Sequence, residues 1–309
     1  SAGLTAAKFG ARFGKRVVLV EKDRLGGDCT WTGCVPSKSL ISEAKKIHAF
    51  RRKVPASRIT GRISISEWND IKDRLKRVVN QIYEADDSPT ALQALGIEVV
   101  TASASFLNED TLLLQRSDGN ETVSAKYGYI VSTGARPARP TIRGLGEKHG
   151  VPFVTYEEIF DIPEIPPRLT VVGGGPIGCE LAQTFQRLGC NVTIVAPSLL
   201  PAEEVEARVV IERVFKSEGI KHVRGRVVSV EPAAEQKKSH VAFLDNGEQI
   251  VGETLLVAAG RNVVVDRLGL DAAGVDFSLR EGIRTDDKLR TTSKKIYAAG
   301  DCTGGQQFT

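Results

Sequence analysis

Two cysteines, Cys29 and Cys34, stand in a segment whose neighbouring residues favour reactive thiols. The segment reads Gly-Gly-Asp-Cys-Thr-Trp-Thr-Gly-Cys-Val-Pro-Ser-Lys over residues 26–38. Two positions five apart in one regular helix differ by a rise of about 7.5 Å and a rotation of about 140°. That separation is incompatible with a disulfide. If the two sulfurs are bonded, Cys29 therefore lies outside the helix that holds Cys34.

Pro36 predicts where that helix begins. Proline is favoured in the first helical turn and disfavoured further in, so we expect a start near Val35, with Cys34 at the N-terminal edge and Cys29 in the preceding loop. A helix N-terminus favours a thiolate over a thiol, and Lys38 adds positive charge one turn further on. The pattern indicates a redox-active pair. The alternative is two unpaired structural cysteines in an intracellular enzyme.

A glycine-rich turn is the second pattern that could bind a ligand. Leu169–Val172 predicts a strand, and Gly173, Gly175 and Gly178 then supply a G-x-G-x-x-G pattern at the opening of a helix. Such glycines allow a tight turn and let the backbone approach a pyrophosphate at the helix N-terminus. The strand–turn–helix context favours a dinucleotide site over a chance match.

An internal repeat organises the chain. Ser1–Glu21 matches Pro176–Ala196 at an offset of 175 residues, and each copy reads as a helix closed by a glycine and followed by a short apolar strand. In this register Gly3 is the third glycine of a first fingerprint. Glu21 ends the strand of that copy, where a carboxylate can bind a ribose, and Ala196 stands at the matching position of the second copy. The alternative is two ordinary βα units with capping glycines.

Composition limits the classes of protein to consider. The 309 residues suggest about two domains, and 42 basic against 38 acidic residues give a net charge of +4, which is too balanced to imply a nucleic-acid partner. The apolar runs are shorter than the roughly 20 residues of a membrane span. Five dispersed cysteines favour a reducing compartment over a secreted disulfide scaffold. No spacing predicts a metal site, and we expect Cys179, Cys190 and Cys302 to be structural.

Apolar spacing and helix breakers predict the elements that position these residues. We expect His48, His149, His222 and His240 to be surface or packing residues. The spacing predicts helix over most of 66–94 and strands over 97–101, 129–132, 255–257 and 296–299.

Together these motifs resemble the class I pyridine nucleotide-disulfide oxidoreductases, which include dihydrolipoyl dehydrogenase, glutathione reductase and mercuric reductase. The resemblance runs from Ser1 to Thr309. Besides the cysteine segment, it is carried by Val-Ser-Thr-Gly at 131–134, Ala-Ala-Gly-Arg at 258–261 and Ile-Tyr-Ala-Ala-Gly-Asp at 296–301. It is closest to a mercuric reductase-like group, because Asp28, Trp31 and Thr32 replace residues that are common elsewhere in the family.

The resemblance implies an α/β fold of two Rossmann-like three-layer domains, one inserted in the other. An FAD-binding domain would span 1–150, without the first strand and first two glycines of its fingerprint. An NAD(P)-binding domain would span 151–280, and 281–309 would return to the FAD-binding domain. By this resemblance, we expect the family's C-terminal dimerisation domain to lie outside the 309 residues.

The implied cofactors are FAD and either NADPH or NADH. Ala196 removes the acid that would bind a ribose diol and favour NAD, so NADPH is slightly preferred. The implied FAD-binding residues are Gly3, Glu21, Thr133, Gly134 and Asp301, and the implied NAD(P)-binding residues are Gly173, Gly175, Gly178, Ala196 and Gly260.

The resemblance also implies four catalytic residues. Cys34 would be the flavin-side thiol and Cys29 the interchange thiol that meets the substrate. Lys38 would lie near the reactive nitrogen of the flavin, and Glu180 would pair with it near the nicotinamide. Electrons would pass from NAD(P)H through FAD and the Cys29–Cys34 disulfide to the substrate, or in reverse from a dithiol to NAD⁺.

The substrate stays open at this point. A small-molecule or protein disulfide, a dithiol and Hg(II) are all compatible with the motifs, and a non-catalytic FAD-binding redox sensor is the alternative of another class. The chain begins at Ser1 and contains no Met, so we expect the sequence to be truncated at both ends. A targeting peptide would be lost with the N-terminus, so the sequence does not predict the localisation. We expect the full-length protein to be a homodimer, and the 309-residue chain alone to bind FAD weakly and turn over disulfides poorly.

Overall fold

The computed structural model describes residues 1–53, 61–146, 150–233, 239–305 and 307; His149 lies outside them. The helices are α1 (Ala2–Arg12), α2 (Gly27–Trp31), α3 (Cys34–Arg51), α4 (Ile65–Ile82), α5 (Pro89–Ala94), α6 (Pro176–Arg187) and α7 (Val205–Glu218). The strands are β1 (Val17–Glu21), β2 (Ile97–Thr101), β3 (Ser103–Phe106), β4 (Leu112–Arg116), β5 (Gly119–Val123), β6 (Tyr129–Val131), β7 (Ala135–Pro137), β8 (Arg168–Val172), β9 (Asn191–Val195), β10 (Lys221–Val223), β11 (Val227–Pro232), β12 (His240–Leu244), β13 (Gln249–Gly252), β14 (Thr254–Val257), β15 (Arg261–Val263), β16 (Phe277–Ser278), β17 (Gly282–Ile283) and β18 (Ile296–Ala298).

The chain forms two compact units, each discontinuous in sequence. The first comprises Ser1–Trp31, Val79–Arg136 and Arg261–Thr309. In this unit β1 pairs in parallel with β2, β6 pairs in parallel with β18, and β3, β4 and β5 form an antiparallel sheet. The α1 helix packs against the β1–β2 pair through an apolar cluster that includes Ala7 and Ile97.

The second unit comprises Thr32–Val78 and Pro137–Gly260. Its main sheet has four parallel strands in the order β10-β9-β8-β14. Because α6 joins β8 to β9 and α7 joins β9 to β10, this is the arrangement of a dinucleotide-binding half of a Rossmann fold. Strands β11, β12 and β13 form a separate antiparallel sheet. The core contains Val171, Ile194 and Phe185, all fully buried.

The structure confirms the predicted α/β class with Rossmann-like units. The repeat is confirmed as well, since α1–β1 and α6–β9 are both helix–strand pairs, and Gly14 and Gly189 both have the positive φ of a glycine that ends a helix (70° and 98°). The predicted strands are found within one residue of their expected ends. The two three-stranded antiparallel sheets were not predicted.

The prediction of helix over most of 66–94 is confirmed, and the structure adds an interruption within this range. A π-helical turn at Tyr83–Asp87 follows α4, and α5 starts afresh after Ser88. The Ser88 side chain accepts a hydrogen bond from the Ala91 amide (3.2 Å), and Pro89 occupies the first turn of α5. This serine cap followed by proline is a helix-start signal that apolar spacing alone does not show.

The compact units differ in extent from the predicted cofactor-binding domains. The second unit takes in residues 32–78, and the chain returns to the first unit at Arg261, whereas the predicted boundaries lie at 150/151 and 280/281. Compactness does not identify a cofactor, so those domain assignments stay a prediction. Among the described residues, no helix combines the length and apolar character needed to cross a lipid bilayer.

His240 is a buried packing residue of the second unit, and it gives a prediction about pH. Its Nε2 lies 3.0 Å from the Thr170 hydroxyl, and burial lowers the pKa of His240 to about 4. Because this pKa is below the ordinary value of 6.5, the unfolded chain binds the proton more readily. Stability should therefore fall by about 2–3 kcal/mol as the pH falls from 7 to 4.

A His240→Gln variant tests this linkage. Urea unfolding of the variant and the unmodified protein should give a difference in unfolding free energy that is constant above pH 7.5 and shrinks between pH 6.5 and 4. A difference that does not change over this range would show that His240 does not contribute to the pH dependence.

Candidate functional site

Helix α3 begins at Cys34, as the position of Pro36 predicted. Gly33 is the residue before the first turn, and the Ser37 amide donates to the Gly33 carbonyl oxygen at 3.0 Å. Pro36 is buried in that first turn, where its missing N–H costs no helical hydrogen bond. Cys34 therefore lies at the electropositive end of an 18-residue helix.

Cys29 lies in a short helix, and the prediction of a loop was wrong. The five residues of α2 begin at Gly27, and Gly26 and Gly27 have φ values of +104° and +64°. These two residues of positive φ turn the chain at the point where the helix begins. All five cysteines lie within the residues that the structure describes, and none of them forms a disulfide in it. The structure thus shows Cys29 and Cys34 without the predicted bond, which stays a prediction for the oxidised protein.

An ion pair joins Lys38 of α3 to Glu180 of α6. The Lys38 ammonium nitrogen lies 2.9 and 2.8 Å from the two carboxylate oxygens of Glu180, so the expected pair is confirmed. Both side chains are about half exposed, and pairs of this kind contribute little to stability. Its consequence is positional: α3, which begins at the thiol Cys34, lies beside α6.

In the glycine turn before α6, there is free space beside the backbone at Gly175, while the backbone at Gly173 and Gly178 is closely packed. A Cβ at Gly178 would lie 2.2 Å from the Gly173 carbonyl oxygen, and one at Gly173 would lie 2.2 Å from the Ala258 carbonyl oxygen. At Gly175, which precedes the first residue of α6, an added Cβ would meet nothing within 4 Å. This arrangement fits a dinucleotide, whose pyrophosphate needs access to the amides at that helix end.

A basic cleft lies beside Ala196. Ala196 follows β9 and is buried, and its carbonyl oxygen lies 3.0 Å from Nε2 of His222 on β10. The cleft has a volume of about 380 Å³, and three of its lining side chains, Lys216, His222 and Arg224, are basic while Glu212 is acidic. Gly260 was also expected to bind NAD(P). It follows β14 with a φ of +109°, and an added Cβ there would meet no atom within 4 Å.

Of the residues expected to bind FAD, Gly3 lies in α1, and the others lie at or after the carboxyl ends of parallel strands in the first unit. Glu21 is the last residue of β1, where its side chain accepts a hydrogen bond from the Asp23 amide (2.9 Å). A Cβ at Gly300 would lie 2.8 Å from the Ala2 side chain, so the loop before Asp301 packs on the N-terminus of α1. A Cβ at Gly3 would lie 2.5 Å from the Ser132 hydroxyl. A helix N-terminus with nearby carboxylates fits a flavin dinucleotide.

Thr133 and Gly134 form a turn that is held from within the first unit. The Thr133 hydroxyl donates to the Val264 carbonyl oxygen, and the Val264 amide donates back to the Gly134 carbonyl oxygen at 2.9 Å. Gly134 has a φ of +73°, which favours glycine. The Thr133 side chain thus shapes the turn, while the backbone beside it stays available to a ligand.

Arg261 is a residue of this unit for which we predicted no role. Its guanidinium nitrogen Nη2 lies 2.6 Å from an Asp28 carboxylate oxygen and 2.9 Å from an Asp301 carboxylate oxygen. The side chain is only 4% exposed. The available signal was the Ala-Ala-Gly-Arg motif at 258–261. Arg261 and Asp28 are 233 positions apart in the sequence, so local spacing could not predict their pairing.

The remaining cysteines lie in apolar surroundings. Burial raises the pKa of Cys179 to about 11 and that of Cys190 to about 12, and burial also raises the pKa of Cys302. These groups therefore stay thiols at neutral pH and are poor nucleophiles. Their positions agree with a structural role.

Comparison with known proteins gives consistent matches over the whole chain. A family profile described as pyridine nucleotide-disulphide oxidoreductase matches residues 1–309. The mercuric reductase of Bacillus cereus is 33% identical over 304 residues, which cover 95% of this chain and 45% of that protein. The dihydrolipoyl dehydrogenase of Bacillus subtilis (strain 168) is 33% identical over 319 residues, which cover 99% of this chain and 66% of that protein.

A solved structure shows the same fold. The HOCl-induced flavoprotein disulfide reductase RclA from Escherichia coli is 27% identical to this chain, and the two structures superpose with a TM-score of 0.82. The match covers 99% of this chain and 65% of the RclA chain. The chain thus spans between about half and two thirds of the length of these relatives.

Proposed function

Because the chain belongs to the pyridine nucleotide-disulphide oxidoreductase family, we propose that it is the cofactor-binding part of an FAD-dependent NAD(P)H:disulfide oxidoreductase. The proposed substrate is a small-molecule or protein disulfide, or a dithiol in the reverse direction. We also propose that the full-length protein is a homodimer, which rests on the family resemblance alone.

The Lys38–Glu180 ion pair carries this proposal. It connects the helix that begins at Cys34 with the helix that begins next to Gly175, within one compact unit. A reactive thiol and a dinucleotide fingerprint are thereby positioned by the same two packed helices. An exposed ion pair adds little stability, so we take its bidentate geometry as support for a chemical task of Lys38 and Glu180 rather than a structural one.

Each residue then has a proposed task. When bound, FAD would carry electrons between the nicotinamide and the sulfurs. Cys34, at the helix N-terminus, would hold the thiolate on the flavin side, and Cys29 would exchange with the substrate. Lys38 would present its charge towards the flavin, with Glu180 fixing the direction of the ammonium group. Asp301 and Glu21 would accept hydrogen bonds from FAD hydroxyl groups.

We propose NADPH as the electron donor. The methyl side chain of Ala196 cannot repel a 2′-phosphate as a carboxylate would. The basic cleft beside it offers Lys216, His222 and Arg224 to an anion, opposed by the single acid Glu212. These charges support NADPH over NADH, while the glycine turn serves both cofactors equally.

Hg(II) is the second candidate substrate. The observation that favours it is the 33% identity to a protein named mercuric reductase. Two thiols in the segment 26–38 are soft ligands of the kind that such a cation prefers. Assays of NADPH oxidation with a disulfide or with Hg(II) as the electron acceptor would separate the two candidates.

Anaerobic titration of the FAD-loaded full-length protein tests the proposed function. We expect NADPH to bleach the flavin absorbance at lower concentrations than NADH, because the basic cleft attracts the additional phosphate. Neutralising Arg224 in an Arg224→Ala variant should reduce this preference, whereas Arg116→Ala, on a strand of the first unit, should leave it unchanged. A flavin that neither nucleotide bleaches would instead support the non-catalytic redox sensor.

A further inference from the structure

The helix that carries Cys29 cannot be stable by itself. It has five residues, and isolated helices shorter than about 12 residues are marginal in water even for good helix formers. Its position must therefore be set by contacts to other segments of the first unit. Asp28, Thr30 and Trp31, the residues on either side of Cys29, each make such a contact.

Thr30 and Trp31 provide an anchor on the C-terminal side of Cys29. The Thr30 hydroxyl donates to the Asp87 carboxylate at 2.7 Å, and Lys8 of α1 pairs with the same carboxylate at 3.3 Å. The Trp31 ring lies 4.9 Å from the Tyr83 ring. Because Thr30 and Asp87 are buried, this anchor holds the end of α2 against α1 and the π-helical turn.

Asp28 provides a different kind of anchor on the N-terminal side. One nitrogen of Arg261, Nη2, donates to both Asp28 (2.6 Å) and Asp301 (2.9 Å). The Arg261 side chain is 4% exposed, while those of Asp28 and Asp301 are 32% and 20% exposed. A nearly buried cation shared by two carboxylates is held in place by both of them. A change at one carboxylate therefore changes the strength of the contact at the other.

We propose that Asp28 is a positioning residue that couples the FAD site to Cys29 through Arg261 and Asp301. The proposal rests on the proposed function, because it takes Asp301 as part of the FAD site. A ligand hydroxyl that donates a hydrogen bond to Asp301 competes with Arg261 for that carboxylate. The contact between Arg261 and Asp301 then weakens, and the contact between Arg261 and Asp28 strengthens. FAD binding should then fix α2 more firmly and lower the access of reagents to Cys29.

Thermodynamic linkage makes this coupling reciprocal. In this proposal Cys29 reacts when α2 opens, so the alkylation rate reports the opening equilibrium of α2. An alkyl group on Cys29 that keeps α2 open must then lower the affinity for FAD. We expect FAD to slow the alkylation of Cys29 about five- to tenfold, and alkylation to raise the Kd for FAD by a comparable factor, which lies within the usual range of coupling between sites.

The experiment measures both quantities in the reduced full-length protein with Cys34→Ser, so that labelling by N-ethylmaleimide reports on Cys29. We call the ratio of the labelling rates without and with FAD the coupling factor. Asp28→Asn keeps the size of the side chain and removes its charge, and it should lower the coupling factor to less than two. Asp28→Glu retains the charge and should restore part of the coupling. Asp23→Asn, at an exposed acid five residues before Asp28, is the matched control and should leave the factor unchanged.

Thr30→Val separates coupling from simple loosening of the helix. This variant removes the hydrogen bond to Asp87, so it should raise the labelling rate equally with and without FAD and keep the coupling factor. It also keeps the proposal testable if Asp28→Asn folds poorly, because a coupling factor lost in Thr30→Val would contradict a specific route through Arg261.

Two outcomes overturn the proposal in different ways. If FAD binds and the full coupling persists in Asp28→Asn, the flavin acts on Cys29 by direct contact and Asp28 has no coupling role. If the unmodified protein does not bind FAD, measured by fluorescence quenching of the free cofactor, the proposed function itself fails and the coupling fails with it.

Discussion

Replacing Cys34 with serine is expected to lower NADPH-driven disulfide reduction by the full-length protein by a factor on the order of a thousand or more. The serine hydroxyl cannot form a disulfide with Cys29, and it does not ionise at neutral pH even at the N-terminus of α3. The relay from flavin to substrate therefore loses its first acceptor. Steady-state NADPH oxidation with a disulfide acceptor gives the size of the effect.

The absorption spectrum assigns the two thiols to their roles. On anaerobic reduction, a Cys34 thiolate beside the flavin should give a long-wavelength charge-transfer band, which Cys34→Ser should lose. Cys29→Ser should abolish turnover to a similar extent and keep the band. A band that survives Cys34→Ser would show that the assignment of the flavin-side thiol is wrong.

A third cysteine supplies the matched control. Cys190 is 1% exposed, and burial raises its pKa to about 12. Cys190→Ala should therefore leave both turnover and the charge-transfer band unchanged, and affect only stability through the small volume lost from the core. A loss of turnover in this variant without unfolding would contradict the structural role of Cys190.

The second large effect is expected at Gly175. An alanine methyl there would meet no atom within 4 Å, and the backbone at φ −73° and ψ 179° suits any residue. The fold should therefore be unchanged in Gly175→Ala. The methyl group would instead obstruct the approach of a pyrophosphate to the N-terminus of α6, and we expect the Kd for NADPH to rise about 10- to 100-fold, or about 1.4–2.7 kcal/mol.

Gly178→Ala provides the comparison within the same fingerprint. Its Cβ would lie 2.2 Å from the Gly173 backbone oxygen, a contact that requires the backbone to shift. We expect a loss of about 1–3 kcal/mol in unfolding free energy, measured by urea unfolding, together with weaker binding. Isothermal titration with NADPH and urea unfolding on both variants separate the two effects. Unchanged NADPH affinity in Gly175→Ala would show that the pyrophosphate does not bind at this turn.

The local chemistry of single residues made much of the fold predictable. Pro36 determined the first turn of α3, because its ring is tolerated at the start of a helix and not in the interior. The repeated glycines indicated both helix–strand pairs, since residues such as Gly14 and Gly189 adopt a backbone conformation that other residues avoid. These signals lie within a few residues of the element they define, so the sequence alone was sufficient to find them.

The short helix around Cys29 was not predictable in the same way. Its five residues include a glycine and a threonine, which are poor helix formers. It exists because Thr30 is held by Asp87 and Asp28 by Arg261, contacts with residues far away in the sequence. A propensity argument therefore assigns a loop, and only tertiary contacts supply the stabilisation that makes it a helix.

The sequence by itself determined the repeat, the glycine turn before α6 and the start of the helix near Cys34, because each depends on backbone constraints that act locally. Only the tertiary structure decided that Cys29 lies on a helix, that Lys38 contacts both oxygens of Glu180, and that one nitrogen of Arg261 serves Asp28 and Asp301. Charge pairing between distant segments depends on where the folded chain brings them, and no local property of the residues encodes that distance.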